Sequence, residues 1–207
     1  MKILTIFLSS INKYGVKFLF LIFLYEILNI YRLRFTDYMV INPIKKRFEP
    51  SVPTPYYCLS LIKKNISKKK YNFIDFGCGR GRVINYVGDI QNIQKIIGIE
   101  NNLKLKKKLN ELNNPKTKIY INDCTSNKFL NFIIQNHKNK NLVLYFYHPF
   151  SETILNNILK KFLIKSKKDI IIIIMGEIFV YKSLKKKFKI KQTRLHKLLN
   201  IYNYKSY

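Results

Sequence analysis

Residues able to do chemistry are scarce in this chain, and the scarcity makes them legible. Among 207 residues there are 11 acids and 7 glycines, and three of those glycines fall within five positions, in Asp75-Phe76-Gly77-Cys78-Gly79-Arg80-Gly81. The run follows the apolar segment 72–76 and precedes a segment of helical character, so it is predicted to form the loop between a first strand and a helix. Glycines in such a loop let a nucleotide-like ligand approach the backbone closely, and a helix start adds N–H donors. The dinucleotide fingerprint G-x-G-x-x-G would need glycine at position 82, where the chain has Arg82, and this disfavours a dinucleotide.

Two further acids stand at equivalent places. Glu100 ends the apolar run 95–99, and Asp123 follows Ile121 and Asn122 after a third short run. A carboxylate only accepts hydrogen bonds, so it suits vicinal hydroxyls or an amino group. Any one of these acids taken alone is equally well read as a helix cap or a solvated turn; their recurrence at successive strand ends is what singles them out. After the apolar run 141–147 comes His148-Pro149-Phe150, where a neutral imidazole offers one acceptor and can take a proton. The three cysteines, Cys58, Cys78 and Cys124, form no C-x-x-C pair and have no histidine at zinc-ligand spacing. Neither a metal site nor a disulfide framework is expected, and a reducing compartment fits.

The elements that must position these residues follow from periodicity. Apolar runs at 72–76, 95–99, 118–121, 141–147 and 169–175 read as strands, and the segments 57–64, 80–87, 103–112, 127–135 and 152–163 read as helices. Near-continuous apolar strands alternating with amphipathic helices predict an α/β, doubly wound parallel sheet covered on both faces. The tail holds two more strand-like stretches, 188–192 and 200–205, without room for a crossover helix, so a terminal antiparallel hairpin is expected.

The pattern D-x-G-x-G-x-G resembles the first motif of class I S-adenosylmethionine-dependent methyltransferases, whose Rossmann-like, seven-stranded sheet ends in such a hairpin. The resemblance implies that Gly77, Gly79 and Gly81 shape the loop around the methionine part of S-adenosyl-L-methionine and that Asp75 orients it. It implies further that Glu100 holds the ribose and Asp123 the adenine. Tyr147-His148-Pro149-Phe150 resembles the Asn/Asp-Pro-Pro-Tyr/Phe turn of family members acting on amino groups, which would make His148, Pro149 and Phe150 the acceptor-facing residues. His148 departs from the usual Asn/Asp, and the second proline is missing. Phe48-Glu49-Pro50 with Pro53-Thr54-Pro55-Tyr56 resembles a Glu-Pro-Thr-Pro stretch of small bacterial methyltransferases. It is also similar to a Pro-Thr-Pro region of membrane-anchored lysine methyltransferases acting on the ATP synthase c subunit, and in these families it lies over the cofactor, here through Thr54. The implied activity is N-methylation of a protein lysine or a small amine. RNA methylation and a non-catalytic, membrane-tethered adaptor of the same fold are the alternatives.

The formal net charge of +28 comes with 33 Lys, 32 Ile, 22 Asn and no Ala, the mark of A/T-rich codons, so a Lys-rich solvated surface is preferred to a nucleic-acid patch. The stretch 16–31 is strongly apolar, and its uncharged core Phe18–Tyr25 is eight residues long. A spanning helix takes about 20 apolar residues, and Glu26 would stand inside any longer window. No small-residue cleavage site follows, so a removable leader is not expected. Membrane association of this segment, with the rest of the chain cytoplasmic, is favoured over simple packing on the domain. The expected organisation is an N-terminal hydrophobic helical segment, 1–40, a Pro-rich linker and leading helix, 41–70, and a catalytic domain, 71–207.

Overall fold

The computed structural model describes residues 15–30, 53–66, 68–112, 114–147, 151–176, 179–196 and 198–206. Helix α1 (Val16–Leu28) and helix α2 (Tyr56–Asn65) precede the first strand. Then come β1 (Tyr71–Phe76), α3 (Arg82–Val87), β2 (Ile93–Glu100), a 3-10 turn (Leu103–Leu105) leading into α4 (Lys106–Asn110), and β3 (Thr117–Ile121). The second half comprises α5 (Asn127–His137), β4 (Leu142–Tyr147), α6 (Glu152–Lys165), β5 (Ile170–Met175), α7 (Lys182–Lys187), β6 (Lys191–His196) and β7 (Leu199–Tyr204).

The seven strands form one sheet in the order β3-β2-β1-β4-β5-β7-β6. β1 to β5 pair in parallel, and β7 enters antiparallel between β5 and β6. Parallel strands need both faces covered, and the two faces of β5 show how this is met. Ile170, Ile172 and Ile174 pack with α5, α6 and α7, while Ile171, Ile173 and Met175 pack with α1, α2 and α3. The run of β-branched residues in β5 suits a pleated surface buried on both sides.

Two expected elements shift. The stretch expected as one helix over 103–112 begins as a 3-10 turn, because the Asn102 side chain accepts the Lys104 N–H and sets the chain's entry there. The penultimate strand begins at Lys191, three residues later than the stretch 188–192 implies. Lys182–Lys187 closes a helical turn first, and Lys189 takes a left-handed φ of 49° before the edge strand starts. β6 is largely exposed, so burial gives its sequence no alternation to read.

The N-terminal helix packs on the fold. Phe18 is buried and stacks on His196 with centroids 3.6 Å apart, and Tyr25 meets Tyr57 of α2 edge-on at 5.3 Å. Among the described residues no helix is long and apolar enough to cross a membrane.

Candidate functional site

The carboxyl ends of β1, β2 and β3 meet at the glycine loop. Gly77, Gly79 and Gly81 have φ of 83°, 54° and 83°, a region that L side chains rarely enter, so glycine is required at each. The N–H groups of Gly77 and Cys78 both donate to the Ile99 carbonyl of β2, at 2.9 and 3.0 Å, and fold the loop across the strand end. The helix that follows is drawn tight to the sheet. A Cβ on Gly98 of β2 would lie 2.5 Å from Ile84 Cδ1 and 2.6 Å from Ile119 Cδ1, and one on Gly81 would lie 2.4 Å from Leu112 Cδ1.

Glu100 ties this loop down. Its Oε2 accepts the Gly79 N–H at 2.9 Å, and its Oε1 accepts the Asn102 N–H at 2.9 Å. Burial pushes its carboxyl up, while the N–H groups of Asn102, Gly79 and Asn101 pull it back. An ionised carboxylate offers about four acceptor positions, so these three N–H groups leave room for one more.

Asp75 stands beside it, in register between Gly98 of β2 and Tyr145 of β4. Its side chain is buried, and Oδ2 has no hydrogen-bond partner. Burial drives its carboxyl well above the ordinary range, and the neighbouring Glu100 drives it further. A buried carboxylate oxygen without a donor is costly, so this atom marks the place where a cationic or N–H-bearing ligand group would be stabilised.

The stretch before α2 reaches the same place. The Thr54 hydroxyl lies 2.6 Å from the Tyr145 hydroxyl, both residues are buried, and Tyr145 is abreast of Asp75. Burial keeps the Tyr145 phenol protonated far above its usual range, against the opposing effect of the Thr54 bond. Asp123, just beyond β3, accepts the Thr125 N–H at 2.9 Å and its hydroxyl at 2.6 Å on Oδ1, which closes the turn into α5. The structure therefore gathers Asp75, Gly77, Gly79, Gly81, Glu100 and Thr54 around one loop, with Asp123 at the neighbouring strand end. His148, Pro149 and Phe150 lie outside the described residues, as do Phe48, Glu49 and Pro50.

Two residues of this region are not evident from the motif. Arg82, the first residue of α3, reaches Glu26 of α1 through Nη1, at 3.2 Å from Oε1 and 3.1 Å from Oε2, and donates to the Thr54 carbonyl at 3.3 Å. Glu26 Oε1 also accepts the Tyr56 N–H at 2.9 Å and caps α2. The signal was in the sequence as an acid inside an otherwise apolar helix, but nothing local named its partner.

The three cysteines are free thiols. All three are buried; burial pushes the Cys58 thiol up to about 12 and holds the Cys78 thiol well above its usual range, so neither is a thiolate at neutral pH. Among the described residues no His, Cys, Asp and Glu stand together as a metal site. A polar cavity of about 430 Å³ lies at the opposite edge of the sheet, between the starts of β1, β4 and β5, and is lined by Lys69, Lys70, Lys140 and Asp169 among others. It is remote from the glycine loop.

No protein-family model matches the sequence, and no curated protein does. Solved structures do match. The chain is similar to one in the fibrillarin/Nop5p complex, at 16% identity over 72% of this chain and 79% of that one, with a TM-score of 0.51. It is similar to MtNAS in complex with MTA and tNA, at 9% identity over 73% and 61% of the two chains, with a TM-score of 0.50. A third match is a SAM-dependent methyltransferase from Anabaena variabilis, at 13% identity over 65% and 77%, with a TM-score of 0.48. Identities this low speak to the fold alone. That fold is Rossmann-like, a seven-stranded sheet ending in an antiparallel pair.

Proposed function

We propose that this chain is an S-adenosylmethionine-dependent methyltransferase that N-methylates a protein lysine or a small amine, on the cytoplasmic side. The observation that carries the reading is the buried, donorless Oδ2 of Asp75 beside a glycine loop that Glu100 holds in place. Bound there, S-adenosylmethionine would supply a methyl group activated by its sulfonium.

The protein's part is alignment and exclusion of water, because methyl transfer is an in-line displacement that needs no strong acid or base. We assign Asp75 to the ammonium of the methionine part, whose N–H donors would satisfy Oδ2. Gly77, Gly79 and Gly81 give the backbone its close approach. The remaining acceptor capacity of Glu100 suits the ribose, and Asp123 suits the adenine amino group. Thr54, fixed through Tyr145 and Arg82, closes the site on the Asp75 side. His148 is assigned to orient the acceptor nitrogen or take its proton, with Pro149 and Phe150 shaping that turn.

Calorimetric titration of the full chain with S-adenosylmethionine and S-adenosylhomocysteine tests the reading. Saturable binding that Gly79→Arg abolishes is the expected outcome, since a side chain at φ 54° would strain the loop and crowd it. Absence of heat with either compound would overturn it. Radiolabelled methyl transfer into fractionated lysate then identifies the acceptor class.

A further inference from the structure

Helix α1 has two unlike sides. Phe18, Ile22 and Tyr25 belong to the side packed in the domain core, where Glu26 also meets Arg82. The other side carries Val16, Phe20, Phe23, Leu24, Ile27 and Leu28, each 36 to 65% exposed, with exposed Lys17 in the first turn. A helix apolar all round is stable where water is excluded from all round. The domain covers one side of α1, so an apolar environment has to cover the other.

We propose that this exposed face docks into the interfacial layer of an anionic lipid bilayer, with α1 lying in the membrane plane. The described helix is too short to cross: its 13 residues span about 20 Å at 1.5 Å per residue, against a hydrocarbon core of about 30 Å. The packed side holds α1 to the protein through the Glu26–Arg82 ion pair, so the helix stays at the surface with its domain. Charge selects the occupant. Lys17 opens the face, and Lys63 and Lys64 are exposed in the last turn of α2, which packs alongside. Lys13, Arg32 and Arg34 flank the helix in sequence, in a chain of net charge +28. Apolar side chains at acyl depth with cations at headgroup depth suit an in-plane interfacial anchor, whose inner side is here covered by the domain itself. Beyond Lys17 at its start the face is made of Phe, Leu, Ile and Val, unlike the mixed polar and apolar surface of a protein interface. Docking has an orientation. From Phe18 on His196 at the end of β6 to Glu26 on Arg82 after the glycine loop, α1 runs along the carboxyl edge of the sheet, and that edge is brought to the lipid surface.

Flotation of the full chain with phosphatidylcholine vesicles, with and without phosphatidylglycerol, tests this apart from any methyl transfer. The wild-type chain is expected to float with the anionic vesicles, less so at high salt. Phe20→Asp/Phe23→Asp is expected to partition roughly a hundred-fold more weakly, since two exposed aromatics lose their apolar transfer. Both positions are exposed, so unchanged thermal unfolding of the variant in vesicle-free buffer verifies its fold. Three results would overturn the inference: a wild-type chain that stays with the soluble fraction, a double variant that floats equally well, or a vesicle-free dimer that the double variant splits. The last would assign the face to a second copy of the chain.

Discussion

Asp75 and Glu100 are two acids held close together in a buried place, and each carries a raised pKa for the same first reason, burial. The sign of the consequence follows. A carboxyl raised in the folded state favours folding in its protonated form, so its contribution is full below the ordinary carboxylate range and is lost as pH rises through the raised value. The ligand-free protein is therefore expected to lose stability across that window, with Glu100 adding to the slope. Asp75→Asn should flatten the slope and raise the Tm at neutral pH. The same substitution should weaken S-adenosylhomocysteine binding by about 1–3 kcal/mol, because a charge-assisted bond to an ammonium is lost. In the wild-type chain, affinity should rise with pH over the window in which Asp75 ionises, with proton release visible as buffer-dependent binding heat. A Tm that falls in the variant, or an affinity independent of pH, would show that Asp75 has another role.

At the scale of elements, α1 is joined to α3 by one ion pair whose side chains are 16% and 5% exposed. Removing one member of a buried pair leaves the other charge uncompensated, so Glu26→Ala is expected to cost about 3 kcal/mol, or roughly 6–12 °C in Tm. Glu26→Leu with Arg82→Met should recover most of that loss, since an apolar pair of similar volume needs no compensation. Thermal unfolding of Glu26→Leu, Arg82→Met and the double variant, beside Glu26→Ala, checks this, and additivity of the Glu26→Leu and Arg82→Met effects would dissolve the proposed coupling. Because Arg82 also donates to the Thr54 carbonyl, the single variant is expected to weaken S-adenosylhomocysteine binding, and the double variant to restore it only in part.

For the molecule as a whole, one sheet carries both hydrophobic clusters, and the glycine loop grows directly from β1, an interior strand of that sheet. A ligand held by that loop stabilises the entire cooperative unit. S-adenosylhomocysteine at a hundred times its Kd should add about 2.7 kcal/mol, or roughly 5–11 °C in Tm as a single transition. Two separated transitions, with one insensitive to ligand, would mean that the segment from α1 to α2 unfolds apart from the sheet.

Sequence alone determined whatever is local. Apolar runs named β1, β2, β4 and β5, because a strand buried on both faces needs continuous apolar side chains. The glycine loop was legible because positive φ is a demand each residue meets by itself, and the terminal hairpin because the tail is too short for a crossover. Edge strand β6 was misplaced, since an exposed strand carries no alternation. The order β3-β2-β1-β4-β5-β7-β6 was decided by tertiary structure, and so was the partner of Glu26, 56 residues away, and that of Thr54, 91 residues away. Contacts at such separations depend on how finished elements stack, and periodicity within one element holds no information about that. The same reason explains α1: its composition announced an apolar helix, but only the packed fold showed which side it keeps for itself and which it presents outward.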